Sequence, residues 1–174
     1  MLTPWKKIKE EPYNAGWRKL LRKTFKLSDG SIEEFDVINT GNGVCILALT
    51  PDKQVILAKQ FRPAAEKFLT EIPGGNIDEG EQATEAAARE LLEETGYVGE
   101  LQFVCCSHHS AYDTSLRYNF VALNCVKQAE PKNTAVEETE VVCMDLEEFK
   151  KHLFSGELSD PVTGFAGLSF LKLI

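Results

Sequence analysis

A mixed α/β/α sandwich, preceded by a small N-terminal antiparallel β unit, is the fold class this sequence predicts, on three observations. Apolar runs of strand length lie on both sides of one strongly patterned helical stretch. Two further helical patterns close the chain. Ahead of these lie two strand-like segments joined by a tight turn sequence.

Taken in order, residues 17–27 and 31–39 read as strands around Ser28-Asp29-Gly30. A lone hairpin is marginal in water, so this pair needs something to pack against. Asn39-Thr40-Gly41-Asn42-Gly43 is a break that divides the chain into an N-terminal unit, 1–40, and a main domain, 41–174. Val44–Leu49 and Gln54–Gln60 are predicted as buried strands around Thr50-Pro51-Asp52-Lys53, and Phe68–Ile72 as a short strand. A helix follows from about Glu81 to Thr95, with Gly96 as its C′ residue. Glu100–Cys106, Leu116–Leu123 and Thr139–Met144 read as strands. Asp145 is then the expected N-cap of a helix to Phe154, and Asp160–Ile174 ends the chain as a helix with Pro161 in its first turn.

At 174 residues the chain can bury one sizeable core. Its net charge of −8, without a basic stripe, argues against nucleic acid as a partner. Cys45, Cys105, Cys106, Cys125 and Cys143 show no zinc spacing and sit largely in apolar runs; they are expected to be reduced, buried thiols of a cytoplasmic protein. The N-terminus lacks a signal-peptide core and no run of 18 apolar residues occurs, so no membrane partner is expected.

The chemistry is concentrated in Arg89-Glu90-Leu91-Leu92-Glu93-Glu94-Thr95-Gly96. On an ideal helix Glu90, Glu93 and Glu94 fall within about 100° of arc. Packing like charges this closely opposes helix formation unless a cation neutralises them. Leu91, Leu92 and Ala88 occupy a separate arc, while Ala83, Ala86 and Ala87 are small neighbours that leave room for an ion. Carboxylate oxygens select a hard divalent cation, and Mg²⁺ (or Mn²⁺) commonly shares its shell with substrate phosphates. A solvated acidic helix face is the ordinary alternative, and the flanking residues decide against it. Upstream lies Glu71-Ile72-Pro73-Gly74-Gly75, then Glu81 after five intervening residues, then Arg89-Glu90 after seven more. The glycines, Gly80 among them, let a loop turn tightly and let backbone approach a ligand. Arg89 stands one turn before Glu93 and can pair with it.

That spacing resembles the Nudix box, the signature of hydrolases that cleave nucleoside diphosphates linked to another moiety. A chance match in one window is on the order of 10⁻¹⁰ from average composition. The resemblance implies a Nudix fold, Glu90 and Glu94 as metal ligands, Glu93 as a further ligand or base, and a metal contact from the Gly74 carbonyl.

Three further segments are similar to the ADP-ribose pyrophosphatases and related nucleoside-diphosphate-sugar hydrolases. These are Ile56-Leu-Ala-Lys-Gln60-Phe61-Arg62-Pro63, Glu71-Ile-Pro-Gly-Gly, and Gly156-Glu-Leu-Ser-Asp160-Pro-Val-Thr163. The likeness implies cleavage of ADP-ribose to AMP and ribose 5-phosphate, with GDP-mannose or another nucleotide sugar as the alternative. A regulator that binds a nucleotide sugar without cleaving it is a further reading, as is a hydrolase of dinucleoside polyphosphates or damaged nucleoside triphosphates. Arg62 is expected to bind phosphate, and Glu71 to belong to the substrate site. Glu138, with Glu137 second, is expected to complete catalysis from the loop before the last strand. In this group N-terminal strands swap across a two-fold homodimer and an aromatic side chain from the partner subunit stacks on the base; Trp17, beside Arg18, is the candidate, and a core tryptophan is the alternative. The sequence departs from the group in having no proline between Gly96 and Pro131. Tyr112, in His108-His109-Ser110-Ala111-Tyr112-Asp113, stands near the expected position and is the substrate-contact candidate there. The two histidines are read as solvent-facing loop residues with catalysis as the alternative.

Overall fold

The computed structural model describes residues 4–16, 18–133 and 138–174. The chain forms two compact units, Met1–Asn42 with His108–Leu116, and Gly43–Ser107 with Arg117–Ile174. The short segment around Tyr112 thus belongs with the N-terminal strands although it lies far from them in sequence.

The first unit is a three-stranded antiparallel sheet in the order β1 (Lys6–Ala15), β2 (Arg18–Lys26), β3 (Ile32–Ile38). The sequence reading had only the β2–β3 hairpin. β1 was missed because Lys6-Lys-Ile-Lys-Glu-Glu-Pro alternates poorly, with three of its first four residues charged. It pairs along the whole of β2, with an irregularity between Lys7 and Lys9. Trp5 stacks on Phe35 at 5.7 Å between ring centroids, and Phe25 meets Phe35 edge-on at 5.9 Å. This aromatic cluster stabilises the small sheet. The third strand and the cluster answer the marginality of an isolated hairpin.

The second unit holds a seven-stranded mixed sheet. Its main path runs β10 (Thr139–Asp145), β5 (Gln54–Arg62), β4 (Gly43–Leu49), β9 (Leu116–Lys127), β8 (Tyr97–His108), with β6 (Lys67–Glu71) on β5 and β7 (Gly74–Asn76) on β4. The β4–β9 pair is parallel, while β4 meets β5 and β7, and β5 meets β6 and β10, antiparallel. Alternation along the strands produces two apolar faces. Val44, Ile46, Ala48 and Ile56 face α1 (Ala83–Thr95), packing on Ala86, Ala87 and Leu91. Leu47, Leu49, Val55 and Leu57 form the other core with Phe149 of α2 (Leu146–His152) and Leu168 of α3 (Pro161–Phe170). The expected mixed α/β/α sandwich is the result.

Element ends differ from the sequence reading for local reasons. Asp145 takes the N-cap position of α2 but its side chain makes no capping bond. Asp160 does cap α3, accepting from the Thr163 N–H at 3.3 Å, and Pro161 opens that helix. α3 stops at Phe170 rather than Ile174, because Lys172 turns into the left-handed region at φ 56°. Gly74 and Gly75 are strand residues rather than turn residues; of the three loop glycines only Gly80 has positive φ, at 83°. Cys45 and Cys125 are buried as expected, whereas Cys106 and Cys143 are exposed, since alternate residues of a strand point to opposite faces. All five thiols are free. No helix is long and apolar enough to cross a membrane among the described residues.

Candidate active site

The helix α1 carries the site because of how it meets the sheet. Ala86, Ala87, Leu91 and Thr95 form its buried stripe. The small alanines are therefore not the walls of an ion pocket, as the sequence reading had them; they let the helix lie close on the sheet. Glu94, next to Thr95 and one turn beyond Leu91, sits at the margin of that stripe and is drawn inward. Gln82 precedes the helix, its N–H bonded to Glu85 Oε2 at 3.0 Å, and Gly96 ends it at φ 74° with its N–H on the Leu92 carbonyl at 2.8 Å.

Glu90, Glu93, Glu94, Gly74, Gly75, Arg62 and Arg89 line one cavity of about 430 Å³, together with Gln60, Asn76, Asp78, Lys132 and Thr139. Each carboxylate has a different environment. Glu94 Oε2 accepts from the Gly74 N–H at 2.8 Å and Oε1 from Gln60 Nε2 at 3.1 Å. Burial nevertheless pushes its carboxyl up to about 7, against the Gly74 hydrogen bond and with repulsion from Glu90 adding to the rise. Glu93 goes the other way: Lys132 Nζ donates to Oε1 at 2.9 Å and holds it below the usual carboxylate range. Glu90 Oε1 accepts from Arg89 Nη1 at 2.7 Å.

Arg89 does more than the expected pairing with Glu93, which is its longest hydrogen bond here at 3.5 Å. Its Nε and Nη2 both reach Glu81 at 2.9 Å, and Nη2 also donates to the Asn76 carbonyl at 2.9 Å. This fork ties the start of the helix to the loop after β7 and holds Glu81 at about 2. Gly75 is required by the same geometry, because a Cβ there would lie 2.4 Å from the Glu90 carboxyl carbon. Gly74 is required by the sheet, since its Cβ would lie 2.3 Å from the Val44 carbonyl oxygen.

On the α1 side of β5 the residues run Ile56, Ala58, Gln60, Arg62, apolar under the helix and polar at the cavity. Gln60, buried, donates to Glu94 and also to Thr139 Oγ1 at 2.7 Å. Asn133 holds Thr139 in both directions, accepting from its N–H at 2.9 Å and donating to its carbonyl at 3.3 Å. The start of β10 is thereby linked to Glu94 through side chains.

Not every expected residue comes to this cavity. Glu71 lies buried behind Arg62, to which it is ion-paired, and does not line the cavity. Glu138 is exposed, immediately before Thr139. Trp17 and Glu137 lie outside the described residues. Tyr112, His108 and His109 are exposed residues of the first unit, where Tyr112 lines a second cavity of about 530 Å³ with Trp5, Phe25 and Phe35. Sequence reasoning missed Lys132, Thr139 and Asn133, which carry no motif, and gave no role to Gln60 or Glu81 although both stood in quoted segments.

Among the described residues no three His, Cys, Asp or Glu side chains converge on one point, each box carboxylate being engaged by Arg89, Lys132, Gln60 or the Gly74 N–H. The donor set still fits a hard divalent cation. Glu94 is buried at a cost, and Glu90 raises that cost, so a cation between them would relieve both penalties.

Comparisons with known proteins agree with this geometry. The ADP-ribose pyrophosphatase of Bacillus subtilis (strain 168) is 27% identical over 168 residues, 95% of this chain and 90% of that protein. The ADP-ribose pyrophosphatase of Saccharomyces cerevisiae is 36% identical over 104 residues, 53% of this chain, and the match spans only 45% of that protein. A crystal structure of an ADP compounds hydrolase superposes with a TM-score of 0.83 at 21% identity, covering 99% of this chain and 96% of that one, which shows a shared fold. Residues 39–162 match the NUDIX domain, and with the glutamates, glycines and Arg89 of that segment gathered at one cavity the chain belongs to the NUDIX family.

Proposed function

We propose that this protein is a metal-dependent pyrophosphatase of nucleoside diphosphate sugars that cleaves ADP-ribose to AMP and ribose 5-phosphate. The observation that carries the reading is the cavity itself: three glutamates of one helix share about 430 Å³ with Arg62, Arg89 and Lys132. Such a mixture of acid and base suits a pyrophosphate carried in with a cation and suits a neutral ligand poorly. The Bacillus subtilis relative, named for ADP-ribose and matched over 95% of this chain, supports the choice of substrate.

Glu90, Glu94 and the Gly74 carbonyl would hold Mg²⁺ or Mn²⁺, with Glu93 as a further ligand or as the base. When bound, the cation supplies neutralisation of the bridging phosphates and acidification of a water. The chain's own residues supply the rest. Arg62 meets the phosphates with a planar fork that a lysine lacks. Lys132 keeps Glu93 ionised, and Gln60 with the Gly74 N–H sets the orientation of Glu94. Glu138, next to the clamped Thr139, is proposed to complete proton transfer, and Trp17 and Tyr112 to contact the base. The three-stranded unit is proposed as the homodimer contact, since Trp5, Ile8, Tyr13 and Ile32 are exposed on it. Five free thiols fit a reducing cytoplasm.

The test is nucleotide release from ADP-ribose, GDP-mannose, UDP-glucose, a dinucleoside polyphosphate and a nucleoside triphosphate, with Mg²⁺ and with EDTA. Metal-dependent preference for ADP-ribose supports the proposal; preference for another member reassigns the substrate. Binding of a nucleotide sugar without cleavage would move the protein to the regulatory reading.

A further inference from the structure

The arginine and glutamate at the two ends of the β5–β6 ladder form an arrangement that neither a surface ion pair nor a core ion pair explains. Arg62 ends β5 opposite Lys67, and Glu71 ends β6 opposite Ala58, four residues back along the ladder. The arginine side chain must therefore lie back along the sheet to reach its partner. It does so through Nε alone, which donates to Glu71 Oε2. The Arg62 side chain makes no other hydrogen bond or ion pair among the described residues, and it is 44% exposed where it borders the cavity.

Glu71 is the opposite case. It is 3% exposed, and its Oε1 is buried without a hydrogen-bond partner among the described residues. A carboxylate kept only for stability would have both oxygens satisfied, because an orphaned buried acceptor is destabilising. A carboxylate kept to aim a neighbour needs only the contact that does the aiming. Holding the guanidinium by Nε fixes its plane and leaves the Nη1–Nη2 edge unspent, and that edge is the one that matches two oxygens of a phosphate.

We infer that Glu71 is a positioning residue that pins Arg62 by Nε, so that the free edge of the guanidinium grips the pyrophosphate group of the substrate. Glu71 itself touches no substrate. This rests on the pyrophosphatase reading and adds to it the residue that orients the phosphate grip. It also accounts for a carboxylate outside the cavity whose only ion pair among the described residues is with a cavity residue.

Binding of inorganic pyrophosphate with Mg²⁺, measured by calorimetry, tests the inference apart from the identity of base and sugar. Glu71→Gln should weaken pyrophosphate binding about tenfold or more, and Arg62→Ala about as much. The double variant should be no weaker than Arg62→Ala, because Glu71 acts only through Arg62. In turnover of ADP-ribose, both single variants should raise KM more than they lower kcat. A full additional loss on adding Glu71→Gln to Arg62→Ala overturns the inference, as does unchanged pyrophosphate affinity in Glu71→Gln. If Glu71→Gln fails to fold, half-exposed Arg62→Lys carries the test. A lysine cannot hold Glu71 and two phosphate oxygens together, so wild-type affinity in that variant sinks the idea. Failure of the wild type to bind pyrophosphate overturns it too, whereas pyrophosphate binding without ADP-ribose cleavage removes only the substrate reading.

Discussion

Adjacent glycines in this site have different physical reasons to be glycine. At Gly75 the obstacle to a side chain is the far end of Glu90, which can swing away. Gly75→Ala should therefore fold with little loss of Tm yet lower turnover by about tenfold or more, because it displaces a carboxylate of the proposed metal set. At Gly74 the obstacles are the Val44 carbonyl and the Cys45 backbone, which cannot yield without breaking the β4–β7 pairing. Gly74→Ala should cost about 2 kcal/mol or more in urea denaturation. Equal losses of stability in the two variants would contradict the distinction. Glu94 yields a pH prediction as well. Its folded-state carboxyl, at about 7, lies above the range of an unfolded chain. Its contribution to stability is thus fully present at pH 4 and is lost as pH rises through 7. Glu94→Gln should cut turnover by orders of magnitude and yet, in EDTA, be more stable than the parent at pH 8 by about 1–3 kcal/mol. The difference should vanish towards pH 4. A gap in Tm that does not change with pH would show that Glu94 carries no such strain.

At the scale of elements, the C-terminal end of α1 is organised by a segment distant in sequence. No basic residue occurs in its last turn, and Lys132 supplies the missing cation from beyond β9. The carbonyl of Gly96 accepts from the N–H groups of Gln128 and Ala129 at 2.8 and 3.0 Å, and that of Glu93 from Lys132 at 2.7 Å. Orphan groups of the helix end are thereby satisfied by the strand connection. Gly96 is critical here: it sits at φ 74°, and a Cβ would come within 2.0 Å of the Ala129 carbonyl oxygen. Gly96→Ala should destabilise by about 2–3 kcal/mol in thermal or chemical denaturation, well beyond the usual cost of alanine at a left-handed cap. A loss under about 1 kcal/mol would mean that the 128–132 segment moves freely. Lys132→Met, by contrast, should leave Tm nearly unchanged, because its side chain is exposed, while weakening catalysis through Glu93.

For the whole molecule, two measurements bear on the proposed function without reading turnover. Saturating Mg²⁺ should raise Tm by several degrees and EDTA should reverse it, since a cation bound only by the folded state stabilises by mass action. No shift in Glu94→Gln would tie that effect to this cavity. Light scattering should give the mass of a dimer, and Ile8→Glu or Ile32→Glu, at positions 47% and 60% exposed, should shift it towards a monomer of 19.4 kDa. A monomeric parent protein would remove the dimer proposal.

Much of this was legible in the chain itself, and the reasons are physical. Helical spacing puts Glu90, Glu93 and Glu94 on one arc whatever surrounds them, and strand alternation assigns the two faces of β4 and β5 from local pattern. The order of strands around one acidic helix was enough to reach the sandwich, and the glycine and glutamate spacing was enough to reach the family resemblance. What local pattern could not carry was everything set by contacts between distant segments. β1 has too many charges to read as a strand and exists because β2 offers it a partner. Lys132 reaches Glu93 across 39 positions, and Gln60 reaches Glu94 across 34 and Thr139 across 79. Glu93 and Glu94 look alike in sequence and differ in ionisation because the fold brings a lysine to one and buries the other. Sequence determined which carboxylates share one arc of α1; tertiary structure decided the surroundings and orientation of each, because desolvation and long-range hydrogen bonds exist only once the sheet has formed.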